Sequence, residues 1–261
     1  MNRMSFWEAV ATLVGTIIGA GILGLPYVIA KVGVLPGFFM LLILGFAALL
    51  MNLMFAEIVL RTRTQHQVAG YTRKYLGILP YRLEILSTFV GGFGALTAYL
   101  IGEGQVLAAL FGGHPMVYSL IFYGAASIVL FVGLRIIKIF ELWMSLIFLA
   151  FILIITSISG TAINWAHWQA IDLSNSFLPY GVILFAFSGV AAVVPLRQIL
   201  RGKEKNVKKA VITASMIPIV VYIIFSFVVV GVTGGETSTI ATIGLGQVVG
   251  PYMIIFGNLF A

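Results

Sequence analysis

The chain has 261 residues, of which 61% are hydrophobic and 9% charged, with a mean hydropathy of +1.12. A soluble domain carries about 25% charged residues. No polar stretch here is long enough to fold into one, so the composition points to a polytopic membrane protein. Cysteine is absent, which excludes disulfides and thiolate chemistry. The net charge of +7 would suit a nucleic-acid partner, but its distribution along the chain gives it another meaning.

A helix that crosses a bilayer needs about 20 mostly apolar residues. Seven complete runs are expected to span, at roughly 6–30, 35–60, 84–111, 116–134, 140–160, 177–199 and 210–233. An eighth begins near Gln247 and is still apolar at Ala261. The first run is not a cleaved signal peptide, because it is too long, is interrupted by glycines and has no A-x-A site after it.

The basic residues follow the runs with a two-fold rhythm. Arg61, Arg63, Arg73, Lys74 and Arg82 lie between runs 2 and 3. Arg135 and Lys138 follow run 4. Arg197, Arg201, Lys203, Lys205, Lys208 and Lys209 follow run 6. With Arg3, that places 14 of the 15 basic residues on one side, and Lys31, Asp172 and Glu236 on the other. The positive-inside rule then puts the N-terminus and the basic loops in the cytoplasm of a multi-pass protein of the plasma or inner membrane. The charge is a topology signal and a contact for anionic lipid headgroups, and no nucleic acid is needed to explain it.

Within run 1, VGTIIGAGILGLPY (14–27) holds Gly19, Gly21 and Gly24, with Pro26 behind them. Each interior glycine costs about 0.5–1 kcal/mol against alanine, and proline removes a backbone donor. Irregular backbone at membrane depth persists only where protein buries it or water solvates it. A break at Gly19-Ala20-Gly21 frees N–H groups that suit a carboxylate and carbonyls that suit an ammonium or a cation. Secondary transporters place such breaks at the midplane. Close helix packing through small residues is the competing explanation. Run 6 repeats the feature, with Ser188-Gly189 near its middle and Pro195 beyond. Runs 1 and 6 correspond if the chain is built of two five-helix repeats, the second inverted because five is odd.

GTIIGAGILGLPY resembles the first-helix signature of the amino acid–polyamine–organocation superfamily. The likeness is nearest to its hydroxy/aromatic amino acid permease and amino acid/auxin permease branches. FAEIVLR (55–61), GYTRKYLG (70–77), PYGVILFAFSG (179–189) and the basic loop followed by IPIVVYIIFSFVVVGVTG (217–234) also look like that group. The resemblance implies a LeuT-like five-plus-five inverted repeat with broken helices 1 and 6. Residues 1–160 would form the first repeat and 177–261 a partial second one, in a single transmembrane domain that stops within helix 8.

The same resemblance places an amino acid between the two broken helices. Its carboxylate would meet the backbone N–H groups of Ala20, Gly21 and Ile22 beside Gly19. Its ammonium would meet carbonyls near Ile17, Phe185, Ala186 and Ser188, with hydroxyls from Thr16 and Ser188. Phe185 and Phe187 are expected to line the side-chain pocket, and Tyr99 resembles the tyrosine that reaches the substrate carboxylate in relatives. The alternative for Phe185 and Phe187 is that they are two of 20 phenylalanines in a lipid-exposed chain, and for Tyr99 it is ordinary packing with its hydroxyl bonded to a neighbouring helix.

Carboxylates in spans are costly and mark function by default. Glu103 lies four residues after Tyr99 on the same helix face, placed to attract a cationic group or carry a proton. Glu57 lies one turn before Arg61, which suits an intrahelical or inner-gate ion pair. Glu8 and Glu141 read as interfacial. His66, His114 and His167 fall in loops without metal-ligand spacing and are expected to be solvated. Trp165 and Trp168 flank an outer loop as interfacial anchors do. The stretch 234–247 reads as a solvent-facing loop able to form a short helix over the outer vestibule.

Uphill uptake needs a coupled ion. Sodium-coupled relatives with a similar first helix carry asparagine where this chain has Gly15, so the resemblance favours protons over sodium. No other cofactor and no metal is implied. The sequence shows no nucleophile–base pair and no phosphate loop, and the glycines of run 3 lack any strand–turn–helix context. An enzyme is therefore not expected. A channel would want a continuous polar stripe that the spans lack. A non-transporting amino acid sensor would keep the same binding site.

Overall fold

The apolar runs fold as helices, with no strand among the described residues, in a computed structural model that describes residues 3–19, 21–132, 147, 149–169 and 171–250. The first run is two helices, α1 (Arg3–Ile17) and α2 (Gly21–Val32), bent by 52° at the glycine-rich break. Then come α3 (Val34–Arg61), α4 (Val68–Leu76), α5 (Ile78–Phe111), α6 (Pro115–Val132) and α7 (Leu149–Ala162). The sixth run is again two helices, α8 (Leu178–Ala186) and α9 (Val193–Ile199). Helices α10 (Val207–Thr233) and α11 (Ala241–Val248) complete the described chain. The expected start of run 5, with Glu141, and the eighth run beyond Gly250 lie outside the described residues.

Lipid tails are as apolar as leucine, so helices in a bilayer associate through close packing and buried polar contacts rather than hydrophobic burial. Helix α10 organises this bundle. It is buried along most of its length and packs against α1, α2 and α3. Its Ser215 Oγ accepts from Asn52 Nδ2 of α3 at 3.2 Å in the interior. Its Tyr222 and Phe225 are among the largest fully buried side chains. Helices α5 and α6 pair with each other, and Ser119 Oγ donates to Leu100 O at 2.7 Å across the pair.

At the basic end of the bundle, Arg197 of α9 donates through Nη1 to Val59 O and Thr62 O, both at 2.6 Å. These are carbonyls at the C-terminal end of α3, where a cation also meets the negative end of the helix dipole. Helix α4, within the basic loop, adds an element that the apolar runs do not signal. It buries little more than Tyr71, which packs edge-on against Phe55 of α3 and His66.

Two loop expectations are corrected at the other end. The expected solvation of His167 does not hold, because its Nδ1 lies 2.9 Å from Gly231 O, and Asn164 N donates to the same carbonyl at 2.9 Å. The carbonyls that end α10 draw these donors in. His66 pairs with Thr64 Oγ1 at 2.9 Å, and His114 Nδ1 accepts from Met116 N at 3.2 Å at the start of α6. The stretch 234–247 is not a solvent-facing loop, because Ala241, Thr242 and Leu245 are buried. The hydroxyls of Thr237 and Ser238 are satisfied by neighbouring groups, which lets this part of the segment leave water. Thr237 Oγ1 bonds Thr233 Oγ1 at 2.7 Å, and Ser238 Oγ accepts from Gly244 N at 2.8 Å. The expected short helix is present there as α11. Of the two tryptophans, Trp165 is exposed, while Trp168 packs edge-on against it and at a tilt against Phe227 of α10. In the same loop, hydrogen bonds from the Ser174 hydroxyl and N–H hold the Asp172 carboxyl below the usual carboxylate range.

Candidate functional site: a cavity beside two crossing helix breaks

The two interruptions meet. A Cβ placed on Gly21, the first residue of α2, would lie 3.1 Å from Ala186 Cα and 3.2 Å from Ala186 Cβ, at the end of α8. A Cβ on Gly189, just after α8, would lie 2.6 Å from Ile17 Cγ1, at the end of α1. Each break thus carries a glycine that receives the helix ending at the other break. At Gly189 the backbone sits at φ −144°, which any residue adopts, so the requirement is space rather than conformation.

A cavity of about 450 Å³ opens beside this crossing. Small-molecule sites run from about 300 to 1,000 Å³ and combine apolar walls with a few directed polar groups. Gly21, Leu23 and Gly24 of α2 form one wall, and Val182 and Phe185 of α8 form another. Helix α5 supplies Ala98, Tyr99, Gly102, Glu103 and Gln105, and Thr239 and Ile240 before α11 close one side. Tyr99 and Phe185 both line it and pack against each other at a tilt, with ring centroids 6.5 Å apart. The polar atoms available to a ligand are the Tyr99 hydroxyl, the half-buried Glu103 carboxylate, the Gln105 amide and the Thr239 hydroxyl.

The residues singled out from sequence fall into several groups. Gly21, Tyr99, Glu103 and Phe185 line the cavity together, and Tyr99 and Glu103 share one face of α5 as their spacing required. Gly19 lies beside them, since a Cβ on it would sit 3.7 Å from the Tyr99 hydroxyl. Ile17, Ile22 and Ala186 are buried behind the wall, and Ile22 N donates to Gly19 O at 3.2 Å. Phe187 is also buried there, packed on Tyr222 at 5.0 Å. Thr16 and Ser188 lie outside the cavity lining. Thr16 Oγ1 donates to Thr12 O within its own helix at 2.9 Å, and Ser188 N donates to Phe185 O at 3.1 Å. Ala20 lies outside the described residues.

Glu57 stands far from this cavity and pairs with Arg61 on the same helix, both side chains well exposed. Exposed i,i+4 pairs contribute about 0.3–0.5 kcal/mol. Arg61→Ala is therefore expected to leave the thermal midpoint within about 2 °C of the wild type in a detergent melt. A larger fall would mean that this pair carries a gate.

Four contributors were not read from the sequence. Gln105 and Thr239 are single polar residues without a pattern, and Gly24 was counted with its break but given no role. The fourth is Tyr222, one of ten tyrosines, set in the largely apolar helix α10. Its hydroxyl donates to Ile17 O at 2.7 Å and lies 3.0 Å from Ala186 O. Ile17 O also accepts from Gly19 N at 3.0 Å. Three of the carbonyls considered for a substrate ammonium, those of Ile17, Phe185 and Ala186, therefore already have a donor within hydrogen-bond reach inside the protein.

Apolar spans, two of them interrupted and crossing beside a mixed apolar and polar cavity, define a multi-pass helical membrane protein. The family model described as transmembrane amino acid transporter protein matches residues 2–261, and the chain belongs to that family. It is similar to the amino acid transporter ANT1 of Arabidopsis thaliana, with 25% identity over 266 residues. That alignment covers 94% of this chain and 60% of ANT1, so the chain spans less than two thirds of that relative's length. Membership in a transporter family sets the chain apart from enzymes, in line with its motifs.

Proposed function

We propose that the protein is a secondary active amino acid transporter that works by alternating access around the crossing of the two breaks. The observation that carries this reading is the reciprocal fit of Gly21 against Ala186 and Gly189 against Ile17, next to a cavity of amino-acid size. A substrate carboxylate would sit at the first turn of α2, on N–H groups other than that of Ile22, which already donates to Gly19 O, since the first turn of a helix has no partners one turn back. The Tyr99 hydroxyl would be its second donor. Phe185, Val182 and Leu23 would hold an aromatic or other neutral side chain. The LeuT-like inverted repeat and the cytoplasmic N-terminus belong to this reading, as do the nearness to the aromatic and auxin permease branches and the plasma or inner membrane location.

Uptake would be coupled to protons rather than sodium, with Glu103 as the proton carrier because it is the one carboxylate among the described residues that line the cavity. Uptake of radiolabelled amino acids into proteoliposomes tests this. An inward proton gradient should drive accumulation of an aromatic amino acid, and exchanging sodium for potassium should change nothing. Glu103→Gln should remove gradient-driven accumulation while substrate exchange at equal pH continues within about threefold of the wild type. Sodium-dependent uptake, or gradient-driven accumulation by Glu103→Gln, would refute the coupling. Amino acid binding without any flux would instead make the protein a sensor.

A further inference from the structure

Helices α1 and α8 both end in the interior, at Ile17 and Ala186. A helix C-terminus carries about half a negative charge on carbonyls without intrahelical partners. Two such ends brought together repel each other unless a donor or a cation stands between them. Tyr222, fully buried on α10, stands there. Its single O–H lies 2.7 Å from Ile17 O and 3.0 Å from Ala186 O. Phe187 packs against its ring and fixes the approach. A hydroxyl has one proton to give, so it serves one carbonyl fully at a time and passes from one to the other with a small rotation or a small shift of either helix.

From this geometry we infer that Tyr222 is a positioning residue for transport. It ties the ends of the two interrupted segments to α10 with a shared hydrogen bond, so that the halves on either side of the breaks move about a common point. The inference rests on the transport reading above and extends it. Tyr222 lies behind the cavity wall, outside the cavity lining, so its role separates from substrate binding. In charge terms, a neutral O–H fills a place between two helix ends that would otherwise favour a cation.

Replacing Tyr222 separates the donor from the ring. Tyr222→Phe keeps the ring and removes the O–H. Incorporation of 4-aminophenylalanine at 222 restores a donor at the same place. In proteoliposomes, Tyr222→Phe is expected to lower the maximal uptake rate about tenfold, with substrate affinity in binding assays within about threefold of the wild type. The amino variant should recover most of the rate. Ser226→Ala, another buried polar change on α10, should transport as the wild type does. Wild-type rates for Tyr222→Phe, or equal loss with phenylalanine and 4-aminophenylalanine, would overturn the inference and leave the transport reading standing.

A second readout needs no transport. The chain has no cysteine, so Ile18→Cys, buried at the break, supplies a single thiol. It should resist a water-soluble maleimide in the wild-type background and react at least about threefold faster with Tyr222→Phe. Equal reactivity in the two backgrounds would overturn the tie even if no amino acid is carried.

Discussion

Gly21→Val is expected to lower amino acid binding and uptake about ten- to a hundredfold. The first added carbon meets Ala186 Cα at 3.1 Å and Ala186 Cβ at 3.2 Å. The Cα belongs to backbone and cannot rotate away. The two methyls of valine then press on α8 and on Phe185, whose Cδ1 is 3.6 Å from the Cβ position. Overpacking of this kind costs about 1–3 kcal/mol, and about 1.4 kcal/mol is a factor of ten in an equilibrium constant. Because the crossing forms the cavity wall, the strain appears as lost affinity as well as lost stability. Gly21→Ala, with one carbon and a gap a few tenths of an ångström too short, should fall between the two. Titration of the purified protein with an aromatic amino acid, read by calorimetry, gives the affinities. A Gly21→Val protein that binds like the wild type would mean that α2 and α8 do not meet at this point.

The second large effect belongs to Arg197. Its guanidinium donates to Val59 O and Thr62 O and is partly buried. Hydrogen bonds to a charged group contribute about 1.5–3 kcal/mol. Water reaches part of this site and will replace some of what is lost. Arg197→Ala is expected to cost about 2–3 kcal/mol, a fall in Tm of about 5–10 °C. Arg197→Lys, a point charge without the planar fork, should recover only part of it. A melt that does not move would show that the α9–α3 contact is incidental. Since α9 is the second half of an interrupted run, a moved melt would also mark this contact as one that must open if that half swings.

The sequence resolved the two breaks because glycine and proline inside long apolar runs are costly and therefore conspicuous. Gly21 and the Ser188-Gly189 pair fall where α2 begins and α8 ends. The face shared by Tyr99 and Glu103 was legible for a similar reason, since four residues make one helical turn. Tyr222 was not legible. Its partners lie 205 and 36 residues away, and a tyrosine in an apolar helix gives no local sign of whether its hydroxyl meets lipid headgroups, a neighbouring helix or a broken end. Helix α4 was missed because so short an element buries little more than one side chain. The 234–247 segment misled because the hydroxyls of Thr237 and Ser238 bond Thr233 and nearby backbone, and composition alone reads such hydroxyls as facing water. Thr16 shows the reverse effect, since it is polar and beside a break, yet its hydroxyl is taken up by its own helix at Thr12 O.

Central to this account is an amino acid bound in the cavity where the two breaks cross. A single introduced thiol tests it most directly, because the chain has no cysteine of its own. Val182→Cys puts that thiol on the cavity wall formed by α8. Thr64→Cys puts it at the basic end, outside that cavity. A transported aromatic amino acid at saturating concentration should slow maleimide labelling of the Val182→Cys protein severalfold. The same amino acid should leave labelling of the Thr64→Cys protein unchanged. Labelling of the Val182→Cys protein that no amino acid affects, in protein shown to bind one, would place the substrate elsewhere and contradict the account.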